Sequence, residues 1–434
     1  MNRDVRYGSQ TLGRLLNWVT SFPVNIWKSI IRHGYPDNDR DRSEMMFQNV
    51  FLHIMPVRVS LNSLKASFTM GLGVLAGLLF IILTITGVLL MFYYVPDVRR
   101  AYLDMKDLEF VVSYGMLLRN MHRWGAHLMV AVVFLHLCRV FLTGSYKPPR
   151  EFNWLIGVLL FIVTLLLSFT GYLLPWDQLA FWAITVGTNI GRSAPILGDM
   201  ISYLLLGGNI VGQNSLLRFY VLHIMVLPLA AIVLMAIHFW RIRKDGGLSR
   251  PEEDTFPLKP QPAQVFVKNP HKTYGLMMFM AGTSPGVDKG PDNTVFSVPH
   301  LLMRLLLLSM VLTLVITVFS LFINAPLEEL ANPALTPNPS KAPWYFLGLQ
   351  EMVSWGRPIW GGVIAPGLIV LGLLLIPYLD RSKKGIGVWF SPQRKLACTL
   401  FVIFAVAMIV AIVIGTFMRG PNWGFYWPWQ PWPY

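Results

Sequence analysis

Seven apolar stretches, each long enough to cross a bilayer, constrain what this chain can fold into. They fall at roughly 68–95, 115–142, 153–174, 216–241, 299–324, 361–378 and 397–418. A hydrocarbon core about 30 Å thick needs ~20 consecutive apolar residues in a helix. Within it every backbone N–H and C=O must be paired inside the segment, which leaves helices or closed barrels. The stretches predict an all-α, polytopic transmembrane bundle. Composition agrees: 54% of the 434 residues are hydrophobic and only 13% are charged, against about 25% charged in a soluble domain.

The net charge of +14 reads as loop topology, because no groove-reading motif for nucleic acid accompanies it. The N-terminal tail is basic. Lys147 and Arg150 follow the second span, and Arg241, Arg243, Lys244 and Arg250 follow the fourth. Arg381, Lys383, Lys384, Arg394 and Lys395 lie between the sixth and seventh. Seven crossings put all of these on one face, which the positive-inside rule makes cytoplasmic, together with the N-terminus. The C-terminus and the long loops after the first, third and fifth spans then lie on the positive side. The chain divides into a tail at 1–67, a four-helix part at 68–243, a polar Pro/Gly-rich linker at 244–298 and a three-helix part at 299–434. No cleavable signal peptide is expected. Leu15–Ile31, rich in Leu, Trp and Phe and flanked by basic residues, suggests a helix lying in the interface. The terminal PNWGFYWPWQPWPY suggests an aromatic interfacial anchor. Cys138 and Cys398 form no CxxCH, CxxC or zinc set.

Chemistry enters with four histidines. His122 and His136 are fourteen residues apart in the second span, which returns to within about 40° of one helix face some 21 Å further along. His223 and His238 in the fourth are fifteen apart, about 60° off. An imidazole in hydrocarbon usually faces a partner or cofactor. Two such helices side by side pair His122 with His223 near one membrane face and His136 with His238 near the other, each pair able to clamp a haem iron axially. His127 lies about 140° round from His122, has no counterpart in the fourth span, and is set aside. Gly73 and Gly87 repeat the interval of fourteen, as do Gly157 and Gly171, favouring room for two macrocycle edges. Arg119, Arg123 and Arg139 flank the ligands and suit propionates.

The motifs MFYYVPDVRRAY, RNMHRWGAH, HLCRVFLTGSYKPPREFNW, GYLLPWDQLAFWAITVGTN, GQNSLLRFYVLHIMVLPL, IHFWRIRK and PWYFLGLQE follow in order on these spans. Over essentially residues 60–420 the chain resembles cytochrome b of the cytochrome bc family, which includes the respiratory bc1 and photosynthetic b6f complexes. The resemblance implies two non-covalent b haems, the low-potential one on His122/His223 and the high-potential one on His136/His238. It implies quinol oxidation on the positive side, with one electron passing to a Rieske iron–sulfur protein and on to a c-type cytochrome. The other electron crosses through the haems to a quinone at the cytoplasmic face, where Arg243 and Lys244 are expected neighbours. Tyr172, Pro175, Trp176 and Asp177 would form one wall of the quinol pocket, and the loop carrying Pro343, Trp344 and Tyr345 the other. A homodimeric complex in a bacterial cytoplasmic membrane is expected.

Three features separate branches of the family. The interval of fifteen, the PWDQ motif and seven spans resemble b6 joined to its subunit IV, a bacterial fused form. The cysteine that binds an extra haem covalently in b6 aligns with Gly71, so no thioether-linked haem is expected. The family's PEWY glutamate, proposed to take a quinol proton, is Pro343 here. Glu351 is the expected substitute, with Asp177, Glu328 and Glu329 behind it. Two other readings compete. A dihaem anchor of another redox enzyme would lack the PWDQ and PWY loops. A haem-free transporter would need intramembrane carboxylates and broken helices near the midplane, which the sequence does not show.

Overall fold

A computed structural model describes residue 17 and residues 19–30, 35–251 and 294–432. Most of the linker, residues 252–293, lies outside the described residues, as do Leu15, Leu16, Trp18 and Ile31 of the expected interfacial helix. Residues 19–30 of that segment are helical and expose Val19, Phe22, Trp27 and Ile30.

Among the described residues, seven helices are long and apolar enough to cross a membrane. They are α1 (Leu72–Met91), α2 (Gly115–Leu142), α3 (Glu151–Tyr172), α4 (Gln213–Lys244), α5 (Ser297–Phe322), α6 (Ile359–Leu379) and α7 (Pro392–Met418). Each lies within a few residues of an apolar stretch. The chain is a multi-pass membrane protein, with its first four spans packed around facing sides of α2 and α4.

One local irregularity decides how α4 faces α2. Leu222–Val226 forms a single π-helical turn just before Pro228. Proline lacks the N–H that the preceding turn would use and crowds its carbonyl. A π turn inserts one extra residue without advancing the helix face. The fifteen-residue interval from His223 to His238 therefore does the geometric work of fourteen, replacing the offset of about 60° in a regular helix with the same offset of about 40° that separates His122 and His136.

The two parts of the chain are tightly joined. Asn120 on α2 donates to the Ser320 carbonyl of α5 at 2.9 Å, and Trp154 on α3 donates to the Leu373 carbonyl of α6 at 2.7 Å. At the basic-loop face, Lys147 donates to Asp380 at 2.8 Å, Tyr146 donates to the same carboxylate, and Arg394 donates to the Phe141 carbonyl at 2.9 Å. Burial alone would raise the Asp380 carboxyl, but these hydrogen bonds outweigh it and hold the group below its usual range. Strand β1 (Arg58–Ser60) pairs antiparallel with β2 (Thr294–Phe296), and Arg58 stacks 4.4 Å over Phe296. The polar stretch after α4 thus returns to α5 beside the segment leading into α1. The opposite face carries the helix Gln178–Arg192 that follows the PWDQ turn, and the helix Trp344–Ser354 that begins in the PWY motif.

Candidate functional site

The four histidines come together as two pairs. His122 and His223 have ring centres 6.2 Å apart, and His136 and His238 6.5 Å apart. Two metal–imidazole bonds of roughly 2 Å, with the distance from each nitrogen to its ring centre added, span about that separation. At the first pair the donor nitrogen is also selected. The Thr86 hydroxyl donates to the Ile82 carbonyl at 2.8 Å, and that of Thr170 to Leu166 at 2.9 Å. Their oxygens lie 2.9 Å from His122 Nδ1 and 3.1 Å from His223 Nδ1. With its own proton committed, each hydroxyl accepts from Nδ1–H, which leaves Nε2 as the metal-donor nitrogen and makes it more basic. His136 and His238 have no such side-chain partner among the described residues.

The glycines serve the imidazoles first. A Cβ at Gly171 would come within 2.6 Å of His223 Cε1, and one at Gly73 or Gly87 within 3.1 Å of the same atom of His136 or His122. At Gly157 it would be 3.7 Å from His238. The expectation of room for macrocycle edges is thus refined. Each glycine admits one ring, and Gly87, Gly157 and Gly171 also line the cavities beside the pairs.

The first pair lines a cavity of about 300 Å³ and the second one of about 80 Å³. Arg123 lines the first and Arg139 the second, and each keeps a buried side-chain N–H without a partner among the described residues, Nε and Nη2 respectively. Opposed imidazoles, glycine slots and spare buried guanidinium donors suit a flat, anionic metallo-macrocycle. Arg119 is different. It lines the first cavity, but its two terminal nitrogens donate to the carbonyls of Ala325 at 2.9 Å and Pro326 at 2.8 Å, pinning the loop after α5.

The same large cavity reaches the opposite-face loops. Tyr172, Pro175, Asp177, Glu328 and Tyr345 line it together with His122 and His223. Trp176 is buried with a left-handed φ of 54°, and the turn it makes sets Asp177 as the N-cap of Gln178–Arg192. Asp177 accepts from the backbone N–H of Ala180 at 2.9 Å and of Glu328 at 3.2 Å. Burial raises its carboxyl against these hydrogen bonds. Glu328 is raised by burial and then by the charges of Asp177 and Glu329. No hydrogen bond or ion pair to its carboxylate is found among the described residues.

Three expected groups of site residues lie apart from these two cavities. Glu351 is 1% exposed and does not line the cavity. Its carboxylate takes Arg419 Nη2 at 2.5 Å and Nε at 2.9 Å, with the indoles of Trp355 at 3.0 Å and Trp423 at 3.2 Å. Burial would raise it, but these hydrogen bonds win and hold it low. A saturated carboxylate is a poor proton acceptor, and Glu351 instead ties the aromatic tail to the PWY helix. Pro343 and Trp344 also stand off the cavity wall, the proline as N-cap of that helix. Arg243 donates to the His53 carbonyl and Lys244 lies 4.7 Å over Trp240, and neither lines either of these two cavities. Sequence reasoning also passed over His127, whose Nδ1 accepts from the Trp344 indole at 3.1 Å. Its angle to the haem ligands hid it, since its partner lies 217 residues away.

Fold and site define a polytopic helical membrane protein with two facing imidazole pairs, one at each end of a helix couple. A family model described as cytochrome b/b6/petB matches residues 57–246, and one described as cytochrome b(C-terminal)/b6/petD matches 330–426. The chain is 42% identical over 202 residues to a menaquinol:cytochrome c reductase cytochrome b subunit of Bacillus subtilis, covering 46% of this chain and 90% of that one. It is 46% identical over 167 residues to cytochrome b6 of Euglena gracilis, covering 38% and 78%. A chain of a solved hyperthermophilic respiratory Complex III superposes with a TM-score of 0.69 at 28% identity, over 88% of this chain and 90% of that one. The chain belongs to the cytochrome b family. Less than half of it accounts for most of the Bacillus protein while the second model takes up its C-terminal part, so b6-like and subunit IV-like portions are fused.

Proposed function

We propose that this chain is the cytochrome b subunit of a bc-type quinol oxidoreductase, oxidising quinol on the positive side of a bacterial cytoplasmic membrane. The observation that carries the proposal is a single cavity shared by the His122/His223 pair, the PWDQ turn, Tyr345 and Glu328. Haem b at each imidazole pair would supply a non-covalent one-electron carrier, and Gly71 offers no thiol for a thioether link. The chain's own residues do the rest. Tyr172, Pro175 and Tyr345 wall the quinol, while Asp177 holds Glu328 at the cavity edge through its backbone N–H. Oxidation of a quinol releases two protons. Glu328 is the acceptor within the cavity, because its carboxylate is unengaged, has raised basicity and is exposed enough to pass protons to water.

The chain divides at the linker into a 68–243 part holding both pairs and a 299–434 part closing the quinol cavity. A Rieske iron–sulfur protein takes the first electron on the positive side and a c-type cytochrome follows, within a homodimeric complex. The His136/His238 pair would hold the haem placed to carry the second electron toward the cytoplasmic face. The test is a dithionite-reduced minus oxidised spectrum of the purified complex, with haem quantified on this chain. Two acid-acetone-extractable b haems per chain are expected. A chain without haem would overturn the reading, and haem retained after extraction would overturn its non-covalent attachment.

A further inference from the structure

His127 belongs to neither imidazole pair, yet it connects the helix carrying His122 and His136 to the PWY helix. Its ring sits 5.3 Å from Trp124 and 5.4 Å from Tyr345, edge-on to the latter at 80°. Trp124 is itself fixed, donating to the Ile323 carbonyl at 2.8 Å. The Trp344 indole, which can only donate, gives its N–H to His127 Nδ1. The imidazole is therefore neutral and carries its proton on Nε2, and Nε2 is buried with no partner among the described residues. A leucine of similar size would pack among these rings without burying an unpaired Nε2, but it would leave the Trp344 indole N–H without its acceptor. A ring retained at that cost is holding a partner in place.

We infer that His127 is a positioning residue for quinol oxidation: it locks Trp344, and through it Tyr345, against α2, and so sets the distance between the cavity wall and the His122/His223 pair. The PWY helix needs such an anchor. It starts on Pro343, which donates no backbone N–H, and it has no side-chain cap. Its other polar ties run elsewhere than α2: Gln350 accepts from Ala342 N–H at 2.8 Å and donates to the Ser340 carbonyl at 2.7 Å, and Glu351 takes Arg419 and Trp423 of the C-terminal tail. Those bonds shape the loop but leave its distance from α2 unspecified. Tyr345 lines the quinol cavity while Trp344 does not, so His127 acts on the substrate through its neighbours.

The inference rests on the quinol reading above, and its test separates the two. In the purified complex, His127→Leu keeps bulk and removes the acceptor, whereas His127→Asn places an amide oxygen near the position of Nδ1. Losing one hydrogen bond is expected to raise the KM for quinol roughly fivefold in His127→Leu, with haem content and reduced spectrum unchanged. His127→Asn should come back to within about twofold of the parent. Trp344→Phe should match His127→Leu, and the double variant should be no worse than either, because both remove the same bond. Parental KM in His127→Leu, no rescue by asparagine, or additive effects would overturn the positioning role. Ultraviolet resonance Raman reads the bond itself, using Trp344→Phe to identify the indole band. That band should lose its hydrogen-bonded signature in His127→Leu and keep it in His127→Asn, even if the complex proves not to oxidise quinol. An unchanged band would sink the inference alone.

Discussion

His122 and His223 face each other with a threonine oxygen on each Nδ1 and a cavity of about 300 Å³ beside them. His136 and His238 keep almost the same separation, with no side-chain partner on Nδ1 and about 80 Å³ of space. On the proposed reading, ring spacing follows from metal coordination and is shared. The surroundings follow from what each site must do. The first cavity runs out to Asp177, Glu328 and Tyr345, where a substrate can enter and give up protons. The second is lined by the turn after α4, including Gly247 and Ser249, and by Arg139 and Arg150. On the proposed reading, one pair meets a substrate and the other relays.

Removing a ligand should have the largest effect. His122→Ala and His238→Ala should each lower haem content from two per chain to about one, measured by pyridine haemochrome on the purified chain. Retention of both haems would break the ligand assignment. Next comes the proton acceptor. Glu328 must be ionised to accept, and its pKa is raised, so quinol oxidation should fall as pH drops through a range above that of an ordinary carboxylate. Glu328→Gln should slow the reaction by about a hundredfold and abolish that acid limb. Glu351→Gln should leave the limb in place and lower thermal stability instead. Because the folded-state pKa of Glu351 is depressed, its stabilisation is present above the usual carboxylate range and is lost as pH falls below it.

The glycines compare the pairs sterically. Gly171→Ala drives a Cβ to 2.6 Å from His223, whereas Gly157→Ala leaves 3.7 Å to His238. The first should cost about 1–3 kcal/mol of stability and weaken haem retention, and the second should be tolerated. Equal behaviour would mean the helices adjust freely. The smallest effect tests the threonines. Accepting from Nδ1–H makes Nε2 more basic and favours oxidised iron. Thr86→Val with Thr170→Val should therefore raise the lower of the two midpoint potentials, by about 59 mV for a tenfold change in a one-electron equilibrium. Serine at both positions should restore it. A redox titration in which the other centre moves instead would reverse the assignment of the two potentials.

Much of this was legible in the sequence, for local reasons. Apolar length is a property of a segment by itself, so seven spans could be counted, and helical periodicity placed His122 and His136 on one face before any packing was known. Loop charge then paired His122 with His223. The chain alone could not rank its carboxylates. Glu351 lies close to the PWY motif in sequence, yet it is consumed by Arg419 and two indoles, one of them from the C-terminal tail. Glu328 is more distant and stands free at the cavity. The π turn at Leu222–Val226, the threonine partners of the first pair and the bond from Trp344 to His127 were equally invisible. Span number and the meeting of the four histidines as two pairs are written into residue type and spacing because a helix repeats every 3.6 residues. Which acid is free, which imidazole nitrogens meet a threonine and what ties Trp344 to α2 were decided only in the tertiary structure, because hydrogen bonds between elements depend on distances that separation along the chain does not encode.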